Sequence, residues 1–177
     1  GLTSDLQYRF HQKKRIKKKL KFWKKYYFSL LILCMKLSVI ITTYNSKEWL
    51  QKVLVGYSVQ TEPNFEVVIA DDGSTEKTKA VIESFQTQFK FPIVHIWQED
   101  NGFQKCKILN KAILKTNSDY LLFTDGDCIP RKDFVEVHAK YAEKGKFLSG
   151  GYCKLTMKTS KHITKEDILS GRCFDVK

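Results

Sequence analysis

From residue 36 onward, short apolar runs alternate with stretches whose apolar residues recur at helical spacing. Residues 37–43 are a continuous apolar and β-branched run, the pattern of a strand buried on both faces. Asn45 or Ser46 stands where a helix cap is expected, ahead of Trp49, Leu50, Val53, Leu54 and Tyr57. Residues 65–70 read as a second strand. Ser74 is predicted to cap a second helix that carries Val81, Ile82, Phe85 and Phe89 on one face. A third, short strand is expected at 92–97. A helix follows over about 104–115, with Cys106, Leu109 and Ile113 inward and four lysines outward. Residues 120–124 form a fourth apolar run, 132–143 a further helix, and 147–149 a last short strand.

Alternating strands and helices imply an α/β domain, a Rossmann-like, mostly parallel sheet with helices on both faces. In such sheets ligands bind outside the carboxyl ends of the strands. The 177 residues and 42% hydrophobic content suit one globular domain with one sizeable core.

Charge divides the chain in two. The first 34 residues hold ten Lys or Arg against one acid, Asp5, so they carry +9 of the net +12. Residues 1–35 read as a basic, aromatic N-terminal arm, and 36–177 as the globular domain. The block Lys13-Lys14-Arg15-Ile16-Lys17-Lys18-Lys19 precedes Phe22, Trp23, Tyr26, Tyr27 and Phe28. Residues 13–34 therefore suit an anionic membrane surface, though the same composition binds nucleic acid without specificity. The apolar stretch 26–35 is about half the roughly 20 residues of a spanning helix. Met35 is also a natural start, which would make residues 1–34 an upstream extension. Five scattered cysteines without a signal peptide point to reduced thiols and a cytoplasmic setting, peripheral on the inner membrane face if the arm engages it.

Polar clusters interrupt the apolar runs at three predicted strand ends: Thr42-Thr43-Tyr44-Asn45, Asp71-Asp72-Gly73-Ser74 and Asp125-Gly126-Asp127. Two carboxylates separated by one glycine supply hard oxygen ligands for Mg²⁺ or Mn²⁺, and the glycine lets a diphosphate approach the backbone. An aspartate of the second cluster can accept hydrogen bonds from a nucleobase or ribose, and Tyr44 offers a flat face to a base. Each cluster also suits a plain turn or helix cap.

Several classes lack their signature. No G-x-G-x-x-G follows the first strand, as a dinucleotide-binding domain requires. The first loop is neither glycine-rich nor basic, unlike that of a nucleotidylyltransferase. Cys128, Ile129 and Pro130 stand where a calcium loop needs a ligand and a glycine. Two alternatives stay open: an aspartyl-phosphate phosphatase using Asp125, and a non-catalytic basic protein on a membrane or nucleic acid with a relic fold. His95, His138 and His162 have no partner pattern and read as packed or surface residues.

Over about residues 36–152 the chain resembles the family 2 glycosyltransferases, which have the GT-A fold. The resemblance rests on the 37–45 segment, on Val68-Ile69-Ala70-Asp71-Asp72-Gly73-Ser74, and on Leu122-Phe123-Thr124-Asp125-Gly126-Asp127. A further stretch, Gln98 through Asn110, resembles the chondroitin-polymerase-like branch. The resemblance implies inverting transfer of a sugar, usually from a UDP-sugar, to a glycan or lipid-linked acceptor, with Mn²⁺ or Mg²⁺. It implies no specific nucleic-acid partner. It places Thr43, Tyr44, Asn45, Asp72, Gln104, Asn110 and Asp125 at the nucleotide, with Tyr44 and Asp72 at the uracil and Asp125 near the ribose. Asp127 matches the metal ligand. Leu109 stands where many members carry Arg. Members usually continue about a hundred residues further, through an acceptor half and an acidic general base, so this chain looks truncated at its C-terminus. Glu166, Asp167 and Asp175 stand in no family motif, and the base is unassigned.

Overall fold

A computed structural model describes residues 35–175. The chain divides into two units, Gly1–Met35 and Lys36–Lys177, and the fold is that of the second. The expectations for the arm, its membrane contact included, fall on residues outside the described range.

Four parallel strands form one sheet: β1 (Leu37–Thr43), β2 (Glu66–Asp71), β3 (Ile93–Trp97) and β4 (Tyr120–Asp125), in the order β3-β2-β1-β4. The helices between them are α1 (Lys47–Ser58), α2 (Glu76–Gln86) and α3 (Lys105–Lys115). After β4 come α4 (Phe134–Tyr141), α5 (Met157–His162), α6 (Lys165–Ser170) and a 3₁₀ turn, Arg172–Phe174. The apolar run that predicted β1 is buried on both sides. Ile40 faces a cluster with Val68, Ala70, Ile108 and Ala112, which seats α3 on that face. Val39, Ile41, Val67 and Ile69 alternate to the other face and are equally buried. The apolar faces of α1 and α2, with Leu50, Val53, Leu54, Ile82 and Phe85 buried, supply the complementary surface.

Several local expectations are corrected. α3 turns Ile108 and Ala112 inward with Leu109 packed beside them, as expected of Leu109, whereas Cys106 and Ile113 are exposed. Both stripes have helical spacing, and the small Ala112 lets the helix approach the strands. Thr75, not Ser74, is the N-cap residue of α2, with no side-chain capping bond, and the helix ends before Phe89; that ring packs on Phe85 with centroids 4.8 Å apart. Ser46 is the N-cap of α1, but its hydroxyl donates to the Tyr44 carbonyl instead of capping the helix. No strand forms at 147–149. Phe147 is exposed, and among the described residues no neighbouring strand pairs with this segment.

Two contacts fix the segment after β4. A Cβ on Gly56 would lie 2.7 Å from Pro130 Cδ, so the absence of a side chain lets α1 touch this turn. Gln60 Nε2 donates to the Arg131 carbonyl at 2.7 Å, and its Oε1 accepts from Val135 N–H at 2.9 Å. Beyond it, α6 begins with a capping box between Thr164 and Asp167 and buries Ile168. Among the described residues, no helix is long and apolar enough to cross a membrane.

Candidate functional site

The strand order places the three polar clusters along one sheet edge. From β1 the chain moves outward to β2 and β3, then returns to lay β4 on the other side of β1. Such a reversal leaves a crevice at the carboxyl ends of the central strands. In register, Thr43 lies beside Asp71 on one side of β1, and Thr42 beside Asp125 on the other.

Asn45 shapes the turn after β1. It has φ 48°, a left-handed conformation that asparagine tolerates better than most residues. Its N–H donates to Ser74 Oγ at 2.8 Å, and its Oδ1 accepts from Thr75 N–H at 3.0 Å. Both polar ends of Asn45 therefore fasten the first loop to the second. Tyr44 is left half-exposed, its hydroxyl donating to Asp100 Oδ2 at 2.8 Å. That bond to a carboxylate holds the phenol above its ordinary pKa.

The two aspartates after β2 have different surroundings. Asp71 is fully buried, accepts from Ser74 N–H at 2.8 Å, and lies 2.9 Å from His95 Nε2. Asp72 is 7% exposed. Its Oδ1 accepts from Gln98 Nε2 and its Oδ2 from Gln104 N–H. Asp72 thus clamps residues 98–104, the loop after β3. Gly73 makes this possible: its φ is 98°, and a Cβ there would come within 2.6 Å of the Asp100 Cα. Two buried oxygens beside this network, Thr43 Oγ1 and Gln98 Oε1, have no hydrogen-bond partner among the described residues.

Across β1, Thr42 Oγ1 donates to Asp125 Oδ1 at 2.8 Å, and Lys105 Nζ donates to the same oxygen at 2.6 Å. The Lys105 ammonium holds the Asp125 carboxyl below its ordinary range, against the opposing effect of burial. The N–H of Gly126 donates to the Thr42 carbonyl at 2.8 Å, an approach so close that a Cβ would lie 2.7 Å from that oxygen. Asp127 follows, exposed, with no lysine or arginine paired to it among the described residues.

The sequence-predicted residues Thr43, Tyr44, Asn45, Asp72, Asp125 and Asp127 all lie at the ends of β1, β2 and β4. Gln104 joins them through its backbone N–H, while its side chain turns back to the Asn101 carbonyl. Asn110 does not join them. It is exposed, two residues from both Ile108 and Ala112, and so points away from the sheet they face. Sequence reasoning missed the roles of His95, Gln98, Asp100 and Lys105. All four lie in or after β3, and the rule applied to the other strand ends, polar residues following an apolar run, would have singled out 98–105. Asp167 is occupied by the Thr164 capping box and by Arg172.

The model of the family described as glycosyl transferase family 2 matches residues 38–166. The chain belongs to that family. It is 39% identical over 110 residues to the uncharacterized glycosyltransferase YfnE of Bacillus subtilis. It is 30% identical over 112 residues to the poly(ribitol-phosphate) beta-N-acetylglucosaminyltransferase TarS of Staphylococcus aureus. Each match takes 62% of this chain, but only 27% of YfnE and 19% of TarS, so the chain spans less than a third of these relatives. The crystal structure of TarS residues 1–349 with UDP-GlcNAc superposes with a TM-score of 0.51, at 30% identity, over 59% of this chain and 30% of that one. The mannosyltransferase PcManGT of Pyrobaculum calidifontis, at 24% identity, shares the fold with a TM-score of 0.54 over 59% of this chain and 31% of its own. The fold of this family 2 domain is therefore GT-A. The finer resemblance to the chondroitin-polymerase-like branch rests on the Gln98–Asn110 motif alone.

Proposed function

We propose that this family 2 domain binds a UDP-sugar across the ends of β1, β2 and β4, for inverting transfer of the sugar to a glycan or lipid-linked acceptor. The observation that carries the reading is the strand order, which sets Tyr44 between the Asp72 turn and the Asp125-Gly126-Asp127 turn at one sheet edge. The half-open Tyr44 ring stacks the base. The Asp72 clamp and Gln104 hold the loop beside it, and the unoccupied lone pairs of Asp72 receive the base N–H. Asp125, whose Oδ2 is free of the Lys105 and Thr42 bonds, receives a ribose hydroxyl. TarS, which shares 30% identity with this chain, has been crystallised with UDP-GlcNAc, and that supports a nucleotide-sugar donor here.

A divalent ion fits this chemistry. Among the described residues no three His, Cys, Asp or Glu gather as a protein cage. Mg²⁺ and Mn²⁺ at phosphate sites need only one or two carboxylates, with substrate oxygens completing the shell. Asp127, exposed and with no cationic partner among the described residues, one oxygen accepting only from the Cys128 thiol, is the residue to hold it. Bound there, the ion would neutralise the departing diphosphate. Binding, base stacking and exclusion of water remain the work of the residues above. The basic and aromatic residues 13–34 add an arm for an anionic membrane surface, tested by salt-sensitive vesicle binding.

Calorimetric titration tests the donor site. UDP should bind more tightly with Mn²⁺ than with EDTA, and Asp127→Ala should abolish that difference alone. Tyr44→Ala should weaken UDP by about tenfold or more through lost stacking, while Tyr44→Phe stays near wild type. Tighter binding of GDP than UDP, or equal UDP affinity in all four proteins, refutes the assignment.

A further inference from the structure

A donor diphosphate in this crevice needs positive charge on the protein side. We propose that Lys105 supplies it: Asp125 holds its ammonium at the mouth of the crevice, and it pairs with the donor's phosphate oxygens when nucleotide enters. The inference rests on the donor-site reading and deepens it.

Four carboxylates line these strand ends and the loop beside them, on Asp72, Asp100, Asp125 and Asp127. A diphosphate brought among them meets like charge. No lysine or arginine among the described residues pairs with any of the four except Lys105, at 2.6 Å from Asp125 Oδ1. Its placement follows from the fold. Thr42 and Asp125 lie on the sheet face that α3 covers, as their register with Ile40 and Phe123 requires, and Lys105 is the first residue of α3. A lysine on the outward face of that helix would point to solvent; this one bends to the strand end.

Three features suit the ammonium to a second partner. It has three donors, and Asp125 takes one. The Lys105 side chain is 38% exposed, so a ligand can reach it. It also stands on the first turn of α3, which has no acidic residue and no side-chain cap, so the positive end of the helix reinforces it. Asp125 then aims the cation, with Thr42 steadying the oxygen that both share. The donor's ribose and diphosphate would bracket the pair, each engaging one partner.

The test is a ligand ladder of uridine, UMP and UDP, titrated into the full chain at fixed Mn²⁺. Wild type should gain affinity with each phosphate. Lys105→Met should cut the UDP-to-uridine affinity ratio about tenfold, the loss of one charge-assisted bond, without lowering uridine affinity. Lys105→Arg should restore most of the ratio. A lysine that only neutralised Asp125 would instead shift uridine and UDP together when replaced, and an unchanged ratio in Lys105→Met overturns the proposal while leaving the donor site standing. If wild type binds UDP no better than uridine, this inference fails; if it binds neither, the donor-site reading fails as well.

Discussion

The N–H of Asn45 donates to Ser74 Oγ at 2.8 Å, and this bond fastens the loop after β1 to the loop after β2. The Asn45 side chain returns the connection by accepting from Thr75 N–H, the N-cap residue of α2. Because Asn45 sits at φ 48°, replacement must respect both the conformation and the acceptor. Asn45→Ala should destabilise the domain by about 1–3 kcal/mol, combining left-handed strain with an unmet N–H. Asn45→Asp keeps the acceptor and should stay near wild type; Asn45→Gly should fall between. Urea denaturation of the three variants ranks them, and equal midpoints for Ala and Asp would show that the latch contributes nothing.

Gly73 and Gly102 offer a matched comparison. Both have positive φ, 98° and 77°, but an added Cβ meets Asp100 at 2.6 Å in the first case and open space in the second. Gly102→Ala should cost only the strain of the left-handed region, about 1–2 kcal/mol. Gly73→Ala adds overpacking, for a total of about 2–4 kcal/mol. It should also displace the loop that Asp72 clamps, so UDP affinity should fall in Gly73→Ala and hold in Gly102→Ala. Equal effects of the two substitutions would dissolve the link between Asp100 packing and the crevice.

The strands were legible because burial on both faces leaves an uninterrupted apolar run, and β1 at Leu37–Thr43 matches its expected bounds. The inward face of α3 was legible only at Leu109, which packs against the core, since 106 and 113 share its helical spacing as well as 108 and 112 do. Only the close approach to Ile40 and Val68, which favours Ala112, separates them. The acids of the site were visible from their position after strands. Their partners were not, because Asp72 meets Gln98 and Gln104 across 26 and 32 residues, and nothing local announces such pairs. Residues 147–149 had the composition of a strand, but a strand needs a neighbour to hydrogen-bond.

His138 makes stability depend on pH. It is buried on α4, and burial lowers its pKa from the ordinary imidazole value. Its Nδ1 lies 3.1 Å from the Tyr120 hydroxyl, which donates to it in the neutral tautomer that leaves that nitrogen bare. The unfolded chain therefore takes up a proton near pH 6.5 that the folded chain still refuses. Stability should be full above about pH 6.5 and decline as pH falls toward the depressed folded pKa. His138→Gln, which keeps an acceptor for Tyr120 and cannot titrate, should flatten that segment of the profile. The check is the urea midpoint between neutral and mildly acidic pH, where parallel declines in both proteins would exclude His138 as the source.

The open side of β4 predicts self-association. β4 pairs with β1 alone among the described residues, so its other edge presents unpaired N–H and C=O groups. Register sets Phe123 beside Ile40, on the face that α3 covers, yet α3 buries Ile40 and leaves Phe123 52% exposed. Phe147 and Tyr152 add exposed rings farther along the chain. An apolar residue on an unprotected edge is a template for pairing with another copy, and natural edges often blunt it with lysine. The isolated chain should therefore sediment as a mixture that shifts to larger species as concentration rises. Phe123→Lys should move that mixture toward monomer without changing the helix and strand content seen by circular dichroism. A monomeric wild type over the whole concentration range, or association undiminished in Phe123→Lys, would show that this edge is not the contact.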